Sequence, residues 1–227
     1  MDYFPIFLDL RGRRALVVGG GQTAFEKAMR LRDAGAAVGI IAPRLSPTLA
    51  RAAREGEIEH LAPRFAPSLL VSAALVIVAD ECLAVRDTVA AAARARGIPV
   101  NVVDDAALSS FIMPAIVERP PVTFAIATGG RAPLLASLLK RWLDARLPAR
   151  LGALALLAGH FRPLVRRKLR DPLMRRRFWE RVFGGDVAAL SLAGEQAAAA
   201  ALLIDMLGDA RVVLPEESTL SPGRRIA

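Results

Sequence analysis

Val17-Val18-Gly19-Gly20-Gly21-Gln22-Thr23-Ala24 decides the fold. The apolar run 15–18 reads as a strand, three glycines follow it, and a helical pattern over 23–34 stops at Gly35. In that context Gly19, Gly21 and Ala24 fit G-x-G-x-x-G/A. Gly19 can take the tight turn, Gly21 lets backbone approach a pyrophosphate, and Ala24 lets the helix lie close to the strand. The helix N-terminus then presents free N–H groups and a partial positive charge to the phosphates.

Working outward, Ala37–Ile41 reads as a second strand and 47–55 as a helix. The run 75–79 is continuous and β-branched, as in a buried central strand. A helix over 84–96 ends at Gly97, and the strand 100–103 stops at Asp104. This alternation predicts an α/β, doubly wound, Rossmann-like parallel sheet whose ligands sit at the carboxyl ends of its strands. The pattern changes after Asp105. Phe111-Ile112-Met113 and the run 122–127 read as strands about a turn at Pro120-Pro121. Thr128-Gly129-Gly130 leads into a helix near Pro133. Everything from there to Leu207 reads as helical, with breaks near Pro148, Gly159, Pro172 and Gly184-Gly185, and 212–227 reads as a loose tail.

The acidic residue that commonly ends the second strand of such a unit is replaced by Ile41-Ala42-Pro43-Arg44. Arg44 would suit a 2′-phosphate, so spacing alone leaves NAD and NADP open.

Composition bounds the rest. The 227 residues are 54% hydrophobic and 23% charged, which is globular composition. The longest uncharged stretch, 65–79, contains Pro67 and is too short for a spanning helix. Cys82 is the only cysteine and the start carries no secretory pattern, so a cytoplasmic, reducing compartment is expected and no cysteine zinc cluster can form. His60 and His160 lack partners at ligand spacing, so no resident metal site is expected and each histidine reads as structural or solvated.

The formal charge of +9 is unevenly placed. Residues 140–181 hold 13 Lys and Arg against three acids, including Arg166-Arg167-Lys168 and Arg175-Arg176-Arg177. Such a field attracts polyanions or steers acidic substrates. The segment has few aromatics for base stacking, which argues against nucleic acid.

Several segments together resemble one family: 2–12; the glycine loop with Ala24 and Lys27; Asn101-Val102-Val103-Asp104; Ser110-Phe111-Ile112-Met113-Pro114-Ala115; Thr128-Gly129-Gly130 with Pro133; and Arg175-Arg176-Arg177-Phe178-Trp179-Glu180. They resemble the precorrin-2 dehydrogenase (sirohydrochlorin ferrochelatase) module of siroheme synthase. The resemblance implies NAD-dependent oxidation of precorrin-2 to sirohydrochlorin and, in several members, insertion of Fe²⁺ to give siroheme. It implies a homodimer and this division: a Rossmann-like NAD-binding domain over 1–112, a dimerisation segment over 113–148, a C-terminal helical domain over 149–210 and a tail over 211–227. It places Gln22, Thr23, Pro43 and Arg44 beside NAD, and it matches Asp104 to the family's catalytic aspartate. Asp80 stands where the family commonly has a threonine. The tail lacks the glycine loop that would open a methyltransferase domain.

Removing a hydride and a proton from a reduced tetrapyrrole needs an acceptor and a base. The dinucleotide is the acceptor, and Asp104, expected to be partly buried, is the base. Asp105 reads as a solvated neighbour. Precorrin-2 bears carboxylate arms that a basic lobe would hold through paired Arg contacts. Backbone N–H groups of Thr128, Gly129 and Gly130 could bind one such arm, or those residues could simply form a turn. Two rival readings remain at this stage: a dehydrogenase without chelatase activity, and a dinucleotide-sensing regulator whose basic lobe binds nucleic acid.

Overall fold

A computed structural model of the chain describes residues 3–209. Met1, Asp2 and the tail 210–227 lie outside the described residues, as do the readings made there. The chain divides into two compact units, one formed by residues up to 115 with 126–137, the other by 116–125 with the residues from 138 onward.

The first unit is built on five parallel strands in the order β3-β2-β1-β4-β5. They are β1 (Arg14–Val18), β2 (Ala37–Ile41), β3 (Glu59–Ala62), β4 (Ala73–Val78) and β5 (Val100–Val102). Side chains of β1 alternate between two apolar clusters. Ala15 and Val17 join the cluster holding Ala24, Ala28 and Leu31 of α1 (Gln22–Asp33), while Leu16 and Val18 join the one holding Val89, Ala90 and Ala93 of α3 (Leu83–Arg94). Helices therefore cover both faces, which is why the central strands are apolar at every position. Spacings of three and four residues put each helix's small residues on one stripe, so the helices lie close to the sheet. Ile77, fully buried in β4, would cost about 2–5 kcal/mol if cut to alanine. Between β2 and β3 runs α2 (Pro47–Arg54), whose first turn is capped by the Ser46 hydroxyl accepting from the Leu49 N–H at 3.3 Å.

β3 was not foreseen: its Glu59 and His60 are exposed, so it lacks the apolar run that marks the other strands. Nor is Phe111-Ile112-Met113 a strand. The strand β6 is Ala115–Arg119, after Pro114, and it forms a two-stranded sheet with β7 (Val122–Ile126) across the tight connection at Pro120-Pro121. Phe111 and Met113 instead pack onto the apolar cluster of the first unit.

In the second unit α5 (Leu151–Lys168), α6 (Pro172–Gly184), α7 (Asp186–Ala193) and α8 (Gln196–Asp209) surround Val165, Phe178, Val182, Val187, Ala199, Leu203 and Leu207. The expected break at Gly159 does not occur. That glycine lies inside α5, where packing outweighs its helix cost of roughly 1 kcal/mol. Asp171 caps α6 by accepting the Leu173 N–H at 3.1 Å, and Gly194, at φ 101°, closes α7. The preceding helix, α4 (Pro133–Asp144), carries exposed Leu134, Leu135, Leu138, Leu139 and Trp142 along one stripe. Among the described residues no helix is long and apolar enough to cross a membrane.

Candidate functional site

The glycine loop leaves the carboxyl end of β1 and opens α1. Gly19 has φ 136°, and a Cβ there would strike the Ala79 carbonyl beyond β4. Gly20 is the tightest of the three, because a Cβ on it would overlap the Arg44 carbonyl oxygen and lie 3.1 Å from the Ala42 methyl. This demand was invisible to the motif, which treats the middle position as free. Gly21 has no atom within 4 Å of its would-be Cβ. It is the N-cap residue of α1 and supplies no side-chain cap, and no acidic residue occupies the helix's first turn. The exposed Gln22 and Thr23 begin that helix. An uncapped helix start with open space beside a glycine fits a pyrophosphate.

Pro43 and Arg44, exposed at the carboxyl end of β2, lie against this loop. Gly20 accepts a hydrogen bond from the Ser46 N–H at 2.8 Å, tying the start of α2 to the loop. The glycine loop and Arg44 thus lie together at the carboxyl ends of β1 and β2.

On the other side of β1, Asp80 follows β4 and accepts the Cys82 N–H at 2.8 Å, shaping the approach to α3. Asp104 follows β5 with φ 59°, a left-handed conformation that costs an aspartate about 1 kcal/mol and that aspartate tolerates better than most residues. Its side chain is exposed, not partly buried as expected. Lys27, on α1, is half-buried and feels the Asp104 charge. Burial pushes its ammonium below the ordinary lysine value and Arg30 adds to this, while Glu26 and Asp104 oppose.

Asp105 is not a free solvated group. Its carboxylate pairs with Arg86 at 3.5 Å and accepts the Leu108 N–H at 2.9 Å, because the chain must reverse here after β5. The reversal is laced by the residues of the N-V-V-D and S-F-I-M-P segments themselves. Buried Asn101 donates to the Phe111 carbonyl at 2.9 Å, and the hydroxyls of Ser109 and Ser110 accept from the N–H groups of Val102 and Val100 at 2.9 and 2.8 Å. In these two segments Asn101 and Ser110 hold the reversal, while Val102, Val103, Phe111 and Met113 pack in or against the apolar clusters.

Thr128-Gly129-Gly130 forms a turn with two left-handed glycines, at φ 64° and 77°. The Thr128 hydroxyl accepts the Ala132 N–H at 3.2 Å ahead of α4. Its hydrogen bonds are thus made within its own turn. His60 bonds the Ala42 carbonyl at 2.9 Å, a structural role.

In the second unit several basic side chains are spent on backbone carbonyls. Arg175 donates to Leu169 and Arg170 oxygens at 3.0 and 2.6 Å, holding the connection between α5 and α6, and Arg150 reaches Ala193 at 3.4 Å. Arg176 pairs with Glu180 at 2.8 Å. Phe178 is core, and Trp179 stacks on Phe183. The exposed Arg162, Arg166, Arg167, Lys168, Arg177 and Arg181 keep the unit's surface strongly cationic. A cavity of about 730 Å³ opens beside Arg177, Arg181, Phe178 and Met206.

Comparison with known proteins bears on both units. Residues 6–115 match a family model described as putative NAD(P)-binding, and residues 150–207 match the sirohaem synthase dimerisation region. The chain is 47% identical over 201 residues to siroheme synthase of Chromobacterium violaceum, an alignment covering 88% of this chain and 43% of that protein. It is 47% identical over 212 residues to siroheme synthase of Pseudomonas entomophila, covering 93% and 46%. Siroheme synthase 3 of Aeromonas hydrophila is 46% identical over 207 residues, covering 91% and 44%. The chain therefore spans less than half the length of these curated relatives. Among solved structures, SirC, precorrin-2 dehydrogenase, superposes with a TM-score of 0.70 at 21% identity over 91% of this chain and all of SirC, which establishes a shared fold.

Proposed function

We propose that this chain, which is similar to siroheme synthases across its NAD(P)-binding and dimerisation regions, oxidises precorrin-2 to sirohydrochlorin with NAD. The observation that carries this reading is the common placement, at the carboxyl ends of one parallel sheet, of an uncapped helix start after three glycines and of the Asp104 carboxylate.

When bound, NAD supplies the hydride acceptor. Gly21, Gln22 and Thr23 would hold its pyrophosphate at the start of α1, and Pro43 and Arg44 its adenosine end. The carboxylate oxygens of Asp104 take the proton that leaves the tetrapyrrole as its conjugation extends. The exposed left-handed position suits a base that must reach a large substrate. The cationic side chains of the second unit attract the carboxylate arms of that substrate, and Thr128-Gly129-Gly130 offers backbone N–H groups to one of them. Fe²⁺ is then a second substrate: Asp104 can also accept pyrrole protons as the ion enters sirohydrochlorin.

We further propose a homodimer. The exposed stripe of Leu134, Leu135, Leu138, Leu139 and Trp142 on α4 lies within 113–148, and an apolar stripe of that length calls for a partner surface. Later in the sequence, 150–207 matches the family's dimerisation region.

The decisive experiment is the Asp104→Asn protein with precorrin-2 and NAD⁺, followed by the absorbance of sirohydrochlorin. Loss of turnover with unchanged NAD affinity supports the assignment, and full turnover removes Asp104 as the base. For chelation, anaerobic sirohydrochlorin with Fe²⁺ or Co²⁺ should convert faster with protein than without; equal rates leave the dehydrogenase alone.

A further inference from the structure

Asp104 is held by its neighbours, not by its own contacts. From α3, Arg86 donates through Nη2 to the Val103 carbonyl at 2.9 Å, and the same nitrogen lies 3.5 Å from the Asp105 carboxylate. One guanidinium thus grips the residue before Asp104 and the residue after it. Arg86 is well covered, with a side-chain exposure of 17%, and its Nε is buried with no hydrogen-bond partner among the described residues. Here its fork is aimed at the two residues flanking a left-handed aspartate.

We propose that Arg86 is a positioning residue that fixes the backbone of Asp104, and with it the direction of the catalytic carboxylate. The inference rests on Asp104 being the base. Fixing Val103 and Asp105 leaves Asp104 one conformation. The clamp comes from α3, which packs against the face of the sheet opposite to α1. Asp105 supplies the counter-charge that keeps a covered guanidinium in place. The Val103 carbonyl, which a neutral side chain would leave without this donor, is the positional contact.

The test compares Arg86→Leu, Arg86→Lys and Asp105→Asn in the full chain, reading kcat and KM for precorrin-2, the pH profile of kcat, and the thermal midpoint. We expect kcat to fall about tenfold to a hundredfold in Arg86→Leu, the size of effect that an ångström-scale misplacement produces, with KM for NAD little changed. Asp105→Asn keeps the grip on Val103 and should lose less, and Arg86→Lys should recover part of the loss. In an Asp104→Asn background, removing Arg86 should cost no further activity. If Arg86→Leu folds and keeps the parent kcat and pH profile, or if its loss is as large without Asp104, the inference is wrong. Should Arg86→Leu fail to fold, Arg86→Gln, too short to reach the Val103 carbonyl, decides: a lowered kcat that is not lowered further in an Asp104→Asn background supports positioning, and a parent kcat and pH profile overturn it. Full turnover by Asp104→Asn alone would defeat the functional reading, whatever the Arg86 variants do.

Discussion

The carbonyl oxygen of Arg44 occupies the place where a side chain on Gly20 would begin. That contact packs the end of β2 backbone to backbone against the glycine loop, the two segments proposed to hold the adenosine and the pyrophosphate of NAD. Gly20→Ala should therefore be destabilised by about 1–3 kcal/mol through overpacking, with weaker NAD binding. Gly21→Ala, with open space around its would-be Cβ and φ −88°, should keep the parent stability and lose NAD affinity alone. Denaturant titration with fluorescence-monitored NAD binding separates the two. Equal stability losses would contradict the packing described.

Asp104 predicts an ordering of variants. A left-handed residue is cheapest as glycine, so Asp104→Gly should be more stable than Asp104→Ala by about 1 kcal/mol, while both lose precorrin-2 oxidation. Thermal melts at one pH give the first comparison and turnover the second. A more stable alanine variant would mean that the loop relaxes out of the left-handed region.

Lys27 makes stability depend on alkaline pH. Its folded-state value is lowered, so the folded protein binds fewer protons than the unfolded chain between that value and the ordinary lysine value. Stability from this group consequently rises with pH across that window. Lys27→Met should be more stable than the parent near neutrality, and its advantage should shrink as pH climbs through the window. An advantage that grew with pH would reverse the assigned cause, burial of the ammonium.

If the cationic second unit gathers the substrate's carboxylates, KM for precorrin-2 should rise with salt while kcat stays level. The screening length falls from about 10 Å at 0.1 M to about 3 Å at 1 M, enough to quench attraction by exposed arginines. A salt-independent KM would assign those side chains to folding and solubility.

The sheet was legible where its residues are buried on both faces. Val76, Ile77 and Val78 announce a central strand because nothing polar could replace them, and Gly35 marks a helix end because only glycine sits easily at φ 83°. Glu59 and His60 gave no such signal, since a strand with one neighbour and a wet surface needs no apolar run. In the candidate site, the glycines at 19 and 21 were readable from their spacing, and Asp104 only from the family resemblance of its segment. Gly20 and Arg86 were not, for what they do depends on chain segments distant in sequence: Arg44 and Val103 become neighbours only in the folded unit.

The lacing of 105–110 back onto β5 has a consequence outside catalysis. β5 is the last strand of its sheet, and such a flank, left bare, recruits strands from other molecules. The hydroxyls of Ser109 and Ser110 engage the outward N–H groups of Val102 and Val100, and the N–H groups of Asp105 and Ser110 take the carbonyls of the same two residues at 3.1 and 2.7 Å. The loop that carries Asp104 thereby also covers this edge of the sheet, so substitutions at these serines should surface first as insoluble protein.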